Sequence, residues 1–305
     1  MLGVKAQNCA GTPSKEKIQM KNTEQSRRHF LQIAGFGAAC LLRADRCPGQ
    51  VGSAGKVKKS KPKFELGLAS YTLREFKLED TLAMTKRVGL KYICFKSMHL
   101  ELHSTPEQIR TTVRKVKDAG LILYGGGVIG LKKENQINQA FEYAKAAGMK
   151  VIIAAPSPEM LPLVEKKVKQ YDIKVAIHNH GPGDKFFPTP AVALENIKNL
   201  DRRIGMCHDI GHTKRYGSDP IAETRLCGDR LHDVHIKDVS EATAKGHGVE
   251  IGRGVIDIPG FLRTLIKMDY DGIVSFEYEK DAKDPLAGLA ESVGYVKGVL
   301  AAIGK

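Results

Sequence analysis

The sequence has no tryptophan, and phenylalanine and tyrosine bring the aromatic share to only 6%. Aromatic side chains are not interleaved with basic ones, so the platform on which single-stranded nucleic acids stack is missing. Cysteine is also scarce: Cys9, Cys40 and Cys47 lie near the start, and only Cys94, Cys207 and Cys227 lie beyond. Three cysteines in the body of the chain, with no CxxC, do not make a disulfide framework. The first long apolar run, Ile33 to Leu42, has about ten residues, too few to cross roughly 30 Å of hydrocarbon as a helix.

Acidic residues are thin at one end. The chain of 305 residues carries a formal charge of +14, which by itself suggests an anionic partner such as nucleic acid. Residues 1–63, however, hold 13 Lys and Arg against Glu16, Glu24 and Asp45 alone, which accounts for +10. The remaining 242 residues carry +4, so the body is nearly neutral and nucleic-acid binding is not expected. With 42% hydrophobic residues it has enough apolar material for a sizeable core.

The basic stretch reads as a leader. Ser26-Arg27-Arg28-His29-Phe30-Leu31 is a twin-arginine pattern, followed by the short Gly/Ala-rich run that Arg43 ends. This combination predicts export by the twin-arginine machinery and a periplasmic location. Met20-Lys21 opens a signal of ordinary length, which makes Met20 an alternative start. Cys40 after Gly37-Ala38-Ala39 is a poor lipidation signal, so a lipid anchor is the lesser expectation. The expected organisation is a leader over 1–49, a flexible Gly/Ser/Lys-rich linker over 50–63 and one domain over 64–305.

From Phe64 the chain repeats one unit, a short apolar run followed by an amphipathic segment. The joints are Gly89-Leu90, Gly120-Leu121, Gly148-Met149 and Asp271-Gly272, where glycine can end a helix in the left-handed conformation. Strands are expected over 65–70, 90–95, 121–125, 150–155, 173–178, 203–208, 231–236 and 272–277. Helices are expected over 106–119, 134–147, 160–170, 190–200, 219–227, 259–268 and 285–302. Eight continuous apolar strands alternating with helices predict an α/β fold, a single (β/α)8 TIM barrel of about 250 residues. An open doubly wound sheet is the alternative, but no GxGxxG follows the first strand to support a dinucleotide site.

In such a barrel the chemistry gathers at the C-terminal ends of the strands. Seven of the ten histidines fall between 178 and 247. Successive strands end in His178-Asn179-His180, His208-Asp209-Ile210-Gly211-His212, His235-Ile236-Lys237-Asp238 and Glu277-Tyr278-Glu279. One histidine alone is more often structural, but four strand ends in a row carrying His, Asp or Glu predict a metal site. Mixed imidazole and carboxylate ligation suits Mn, Co or Zn, with Mg also admissible, and leaves coordination positions for substrate oxygens.

The order of these motifs resembles the sugar phosphate isomerase/epimerase family of xylose isomerase-like TIM barrels, over about residues 64–302. The resemblance rests on Asp209-x-x-His212, His235-x-Lys237-Asp238 and Glu277. It implies a divalent metal held by His178, Asp209, His235 and Glu277, with His212 and Arg253 contacting a carbohydrate substrate. Relatives often carry Glu-Asn-His where this chain reads His178-Asn179-His180, so one of two proton-moving carboxylates is replaced by imidazole. Glu277 then remains as one catalytic group, and His180 or His212 supplies the other. Further substrate-binding candidates are Lys237, Tyr71 after the first strand, and Lys96 and His99 after the second.

The expected function is a metal-dependent sugar isomerase or epimerase that abstracts a proton beside a polarised carbonyl. Two alternatives stand beside it: a metal-dependent lyase that cleaves 3-keto-glycosides by β-elimination, and a non-catalytic carbohydrate-binding barrel. Monomer and homo-oligomer are both open.

Overall fold

A computed structural model describes residues 62–303. The twin-arginine pair Arg27 and Arg28, Met20, Cys40 and nearly all of the 50–63 linker lie outside the described residues.

The chain builds β1 (Glu65–Ala69), α1 (Leu78–Arg87), β2 (Tyr92–Phe95), α2 (Pro106–Asp118), β3 (Ile122–Leu131), α3 (Glu134–Ala147), β4 (Val151–Pro156) and α4 (Leu161–Tyr171). It continues with β5 (Lys174–His178), α5 (Pro190–Ile197), β6 (Ile204–Asp209), α6 (Ile210–Arg215), α7 (Pro220–Cys227) and β7 (Leu231–Ile236). It ends with β8 (Asp238–Val239), β9 (Gly248–Val249), α8 (Ile258–Lys267), β10 (Ile273–Phe276) and α9 (Leu286–Ile303). Eight strands close into a parallel barrel in the order β1-β10-β7-β6-β5-β4-β3-β2, while β8 and β9 pair antiparallel as a separate hairpin. All eight expected strands are present, and the closed ring excludes the open doubly wound sheet.

Local signals explain many boundaries. Thr105 caps α2 through Gln108 N, Gln108 returns a bond to Thr105 N, and Pro106 occupies the first turn. Gly89, Gly120 and Gly148 adopt φ values of +72°, +78° and +69°, as expected where helices give way to strands. At the fourth joint the left-handed residue is Asp269, with φ 55°, rather than Gly272. Asp tolerates this conformation because its short polar side chain can bond locally.

Two core regions result. Most buried side chains lie between the barrel and the helices; in α8, Ile258, Phe261, Leu262 and Leu265 are all fully buried. That spacing of three and four residues forms one apolar face, and burying each such side chain contributes about 1.5–3 kcal/mol. A smaller cluster of Cys94, Tyr124, Val151, Ile153, Ala176 and Cys207 fills the barrel itself.

Three features depart from the expected pattern. β3 runs on to Leu131, so Gly126 and Gly127 lie inside the strand rather than after its expected end at 125. α6 begins directly after β6 with no loop between them. The β8–β9 hairpin follows β7, where the sequence shows only polar and glycine-rich loop chemistry.

Candidate metal centre

Side chains alternate along a strand, so positions two apart share a face. His178, Asp209, His235 and Glu277 are the inward residues at or just past the C-terminal ends of β5, β6, β7 and β10, four consecutive strands of the barrel. Two residues earlier, Ala176, Cys207, Asp233 and Ser275 form the buried layer beneath. All four upper residues are buried, and one donor atom from each lies within 4.8 Å of the others.

The distances are short. His178 Nε2 is 3.0 Å from His235 Nδ1 and 3.4 Å from Asp209 Oδ2. His235 Nδ1 is 3.1 Å from Glu277 Oε2, and His178 Nε2 is 4.0 Å from the same oxygen. Asp209 is held from several sides. Its Oδ1 accepts a 2.7 Å hydrogen bond from His212 N and so caps α6, while Asn179 Oδ1 accepts from Asp209 N at 2.9 Å. Asn179 Nδ2 donates in turn to Asp209 O at 3.1 Å. Asp209 Oδ2 is left facing the cluster, buried and without a hydrogen-bond donor.

Lys237 threads into this group. Its ammonium lies 2.8 Å from Asp209 Oδ2 and 2.7 Å from Glu277 Oε2, and it also pairs with Glu279. The Asp209 contact is a charge contact rather than an aligned hydrogen bond. Gly211 makes the passage possible, because a Cβ there would lie 2.4 Å from Lys237 Cγ.

The electrostatics follow from this packing. Burial alone would raise the carboxyls of Asp209 and Glu277, but Lys237 and the neighbouring imidazoles outweigh it and hold both below the usual carboxylate range. Burial pushes His178 well below its ordinary value, so its imidazole is neutral at pH 7. Burial would lower His235 too, but Glu277 and Asp233 outweigh it and raise that ring. Asp233 sits beneath, its Oδ2 3.7 Å from His235 Nε2 and its carboxylate accepting from Tyr124 Oη at 3.2 Å. Burial raises the Asp233 carboxyl to about 7.

The donor set fits a divalent ion. Two imidazole nitrogens face each other across 3.0 Å with two carboxylate oxygens beside them, and Asp209 Oδ2 faces the cluster with the Lys237 charge against it but no aligned hydrogen bond. Such a set matches Mn, Co, Zn or Fe better than an all-oxygen calcium site.

The other candidate residues fall into two groups. His212 Nε2 lies 4.0 Å from Asp209 Oδ2, and the ring of His180 lies 4.6 Å from that of His178. Both therefore border the cluster, and His180 Nδ1 is also 3.3 Å from Asp184 Oδ2. Tyr71 and Lys96 meet on the β1–β2 side, the ammonium 5.1 Å from the ring centroid, with Arg74 stacked on the same ring at 4.7 Å. Arg74 Nη2 donates to Glu279 O, linking this side to the end of β10.

Lys237, expected to bind substrate, has its charge engaged by three carboxylates inside the cluster. His99, another expected substrate ligand, packs beside α1. Its Nδ1 bonds Ser70 Oγ, and its Nε2 meets Thr81 Oγ1 and Phe76 O, so both nitrogens serve the packing of α1. Arg253 turns away onto α9, where Nε and Nη2 pair with Glu291 at 2.5 and 2.8 Å. Asp233, Asn179, Gly211 and Glu279 are additions that sequence reasoning missed. Asp233 had a usable signal, since it stands two residues before His235 on the same strand face.

A cavity of about 280 Å³ opens beside Lys237, Glu277 and Glu279 and is closed on its other side by α6 and the β8–β9 hairpin.

Comparison with known proteins agrees with this architecture. A stretch of 94 residues is 30% identical to SgbU of Escherichia coli strain K12, named as a candidate L-ribulose-5-phosphate 3-epimerase; it covers 29% of this chain and 33% of that protein. A stretch of 111 residues is 28% identical to the inosose dehydratase of Geobacillus kaustophilus, covering 29% of this chain and 36% of that one. The matches thus span about a third of these relatives' own length. The apo crystal structure of the Escherichia coli 3-keto-D-glucoside 4-epimerase YcjR superposes with a TM-score of 0.63 at 17% identity, over 77% of this chain and 99% of that one. Residues 77–299 match the family described as xylose isomerase-like TIM barrel, and the chain belongs to that family.

Proposed function

We propose that this barrel is a divalent-metal-dependent sugar isomerase or epimerase that moves a proton at the carbon beside a carbonyl. The observation that carries the reading is the convergence of His178, Asp209, His235 and Glu277 at the ends of four consecutive strands, with donor atoms within 4.8 Å. Bound there, a divalent ion supplies Lewis-acid polarisation of the sugar carbonyl, which acidifies the neighbouring C–H.

The chain's own groups do the rest. Asp233 below and Asn179 alongside orient His235 and Asp209, so that little reorganisation accompanies binding. Lys237 balances the charge of Asp209, Glu277 and Glu279. Glu277 borders the cavity and serves as the carboxylate that accepts or returns a proton. His212 also lines the cavity, and burial lowers its pKa, so it is a neutral imidazole that can bind a sugar hydroxyl or take a proton. His180, more open than His212, supplies a proton from the β5 side. Positioned acid–base groups of this kind contribute typically 10²–10⁴-fold to rate.

Two measurements test the reading: metal content of the purified protein, and deuterium uptake from D2O into a panel of keto-sugars. Stoichiometric metal with exchange at one carbon is expected. Protein free of metal that catalyses no exchange in any sugar, with or without added Mn, Co or Zn, overturns it.

One observation favours a second outcome for the same chemistry. His178 stands in the ligand set where a second proton-moving carboxylate would act, which leaves Glu277 to work on one face of the substrate. One-sided abstraction followed by loss of a β-substituent would make the protein a lyase on 3-keto-glycosides. Release of aglycone from a 3-keto-glycoside supports elimination, and epimer formation without cleavage rejects it. The twin-arginine leader places the activity in the periplasm on this proposal, which cell fractionation tests.

A further inference from the structure

A thiol lies directly beneath the four proposed ligands. Cys207 stands two residues before Asp209 on β6 and shares its inward face, level with Ala176, Asp233 and Ser275. Across the sheet it pairs in register with His178 of β5 on one side and with Asp233 of β7 on the other. Cys207 is fully buried, and its thiol donates toward Asp233 Oδ2 at 3.5 Å.

Two donor sets therefore share one pair of imidazoles. His178, Asp209, His235 and Glu277 make the upper set. His178, Cys207 and His235 make a lower one, whose donor atoms also lie within 4.8 Å of one another. Zn–S bonds of about 2.3 Å and Zn–N bonds of about 2.0–2.1 Å let donors so placed meet on a single ion. The thiol does not join the two carboxylates in one group, so an ion drawn to sulfur moves away from Asp209 and Glu277. Cys94 and Cys227 are buried too, but among the described residues neither stands in such a group. The two sets also differ in chemistry. Carboxylates above suit a hard ion such as Mn, whereas a thiolate below suits a thiophilic one such as Zn or Cd.

We infer that His178, Cys207 and His235 form a second seat, for a thiophilic divalent ion, and that the upper and lower seats exclude each other. Each seat needs both imidazoles, and the same pair serves both. As the metal–sulfur bond forms, the thiol proton leaves to solvent and the sulfur binds as thiolate. An ion in the lower seat is withdrawn from Glu277 and from the cavity that Glu277 lines, so it cannot polarise a substrate there. The barrel thus sorts ions by depth, with a hard ion at the mouth and a thiophilic ion one layer down. The inference takes the imidazole pair from the proposed metal centre but does not depend on the sugar chemistry.

The test uses the full chain carrying Cys9→Ser, Cys40→Ser and Cys47→Ser, stripped with a chelator and titrated with CdCl2 or MnCl2. One equivalent of Cd is expected to raise the ultraviolet thiolate-to-cadmium charge-transfer band, and Mn to raise none. Cys207→Ser is expected to lose the band, and Asp209→Asn to keep it. Protein loaded with one equivalent of Cd should take up no Mn, read from the electron paramagnetic resonance of free Mn. Mn binding itself should survive Cys207→Ser, with Cys207→Ala as a second variant and thermal melting confirming that both fold. No band with Cd, a band that persists in both Cys207 variants, or simultaneous binding of Cd and Mn overturns the inference. None of these readouts needs turnover. A protein that binds Cd through Cys207 but exchanges no deuterium in any keto-sugar fails the proposed reaction and keeps the lower seat.

Discussion

His178 Nε2 faces His235 Nδ1 across 3.0 Å, with Glu277 Oε2 3.1 Å from the second nitrogen. Two buried imidazoles cannot both direct lone pairs at one point without a proton or a cation between them. Without metal, a proton on His235 Nδ1 bridges to His178 Nε2 and Glu277 Oε2; a divalent ion would take its place and engage all four groups. Removing metal with a chelator should therefore lower the melting temperature, and adding Mn or Co should restore it. An ion at 100 times its Kd stabilises the fold by about 2.7 kcal/mol. The stabilisation should be lost in Asp209→Ala, read by thermal melting with and without metal.

Asp233 lies under the ligand set, 3.7 Å from His235 Nε2, in contact with Tyr124 and Cys207. Replacing it with Asn keeps its shape but removes the charge that orients the ring. Asp233→Asn should weaken metal binding by about 10- to 100-fold while the far-ultraviolet circular dichroism stays native. Competition with a fluorescent chelator measures this directly, and an unchanged affinity would remove Asp233 from the site.

Gly211 allows the Lys237 stem to cross the first turn of α6. In Gly211→Ala the new Cβ would lie 2.4 Å from Lys237 Cγ and 2.6 Å from Cδ, so the lysine must leave Asp209 and Glu277 or the helix must shift. Overpacking of this kind costs about 1–3 kcal/mol. Urea denaturation should show that loss, and the companion Lys237→Met in the same background should recover little of it if the helix itself has moved.

His208 points away from the barrel interior, its two nitrogens 3.0 and 2.9 Å from Thr224 Oγ1 and Thr213 Oγ1. Burial pushes its pKa down to about 4. The unfolded chain takes up a proton near 6.5 and the folded chain does not until about 4, so stability is complete above 6.5 and falls as pH drops toward 4. The contribution at stake is about 3 kcal/mol. Urea midpoints of wild type and His208→Gln between pH 7 and 4.5 should converge as the pH falls; parallel curves would contradict the assignment.

Much of this protein was readable from pattern. Glycines at 89, 120 and 148 marked helix ends because only the left-handed conformation completes those turns, and apolar runs marked strands because parallel strands are buried on both faces. The His, Asp and Glu residues at four strand ends were readable for the same reason, since alternation places each strand's last inward residue at the barrel mouth. The contacts of His99 and Arg253 were not readable, because a residue's neighbours in sequence do not show which partner claims it. Ser70, Thr81 and Phe76 claim His99, and Glu291 on α9 claims Arg253.

The sequence by itself determined the barrel, the near-neutral body behind a basic N-terminal stretch, and the residue types gathered at the strand ends. These depend on local periodicity and on chain order, both of which are one-dimensional. Tertiary structure alone decided that Lys237 lies among Asp209, Glu277 and Glu279, that Asp233 supports His235 from below, and that the β8–β9 hairpin closes one side of the cavity. Each of those contacts joins different strands and loops of a closed ring, so each depends on barrel closure and side-chain packing, which periodicity does not encode.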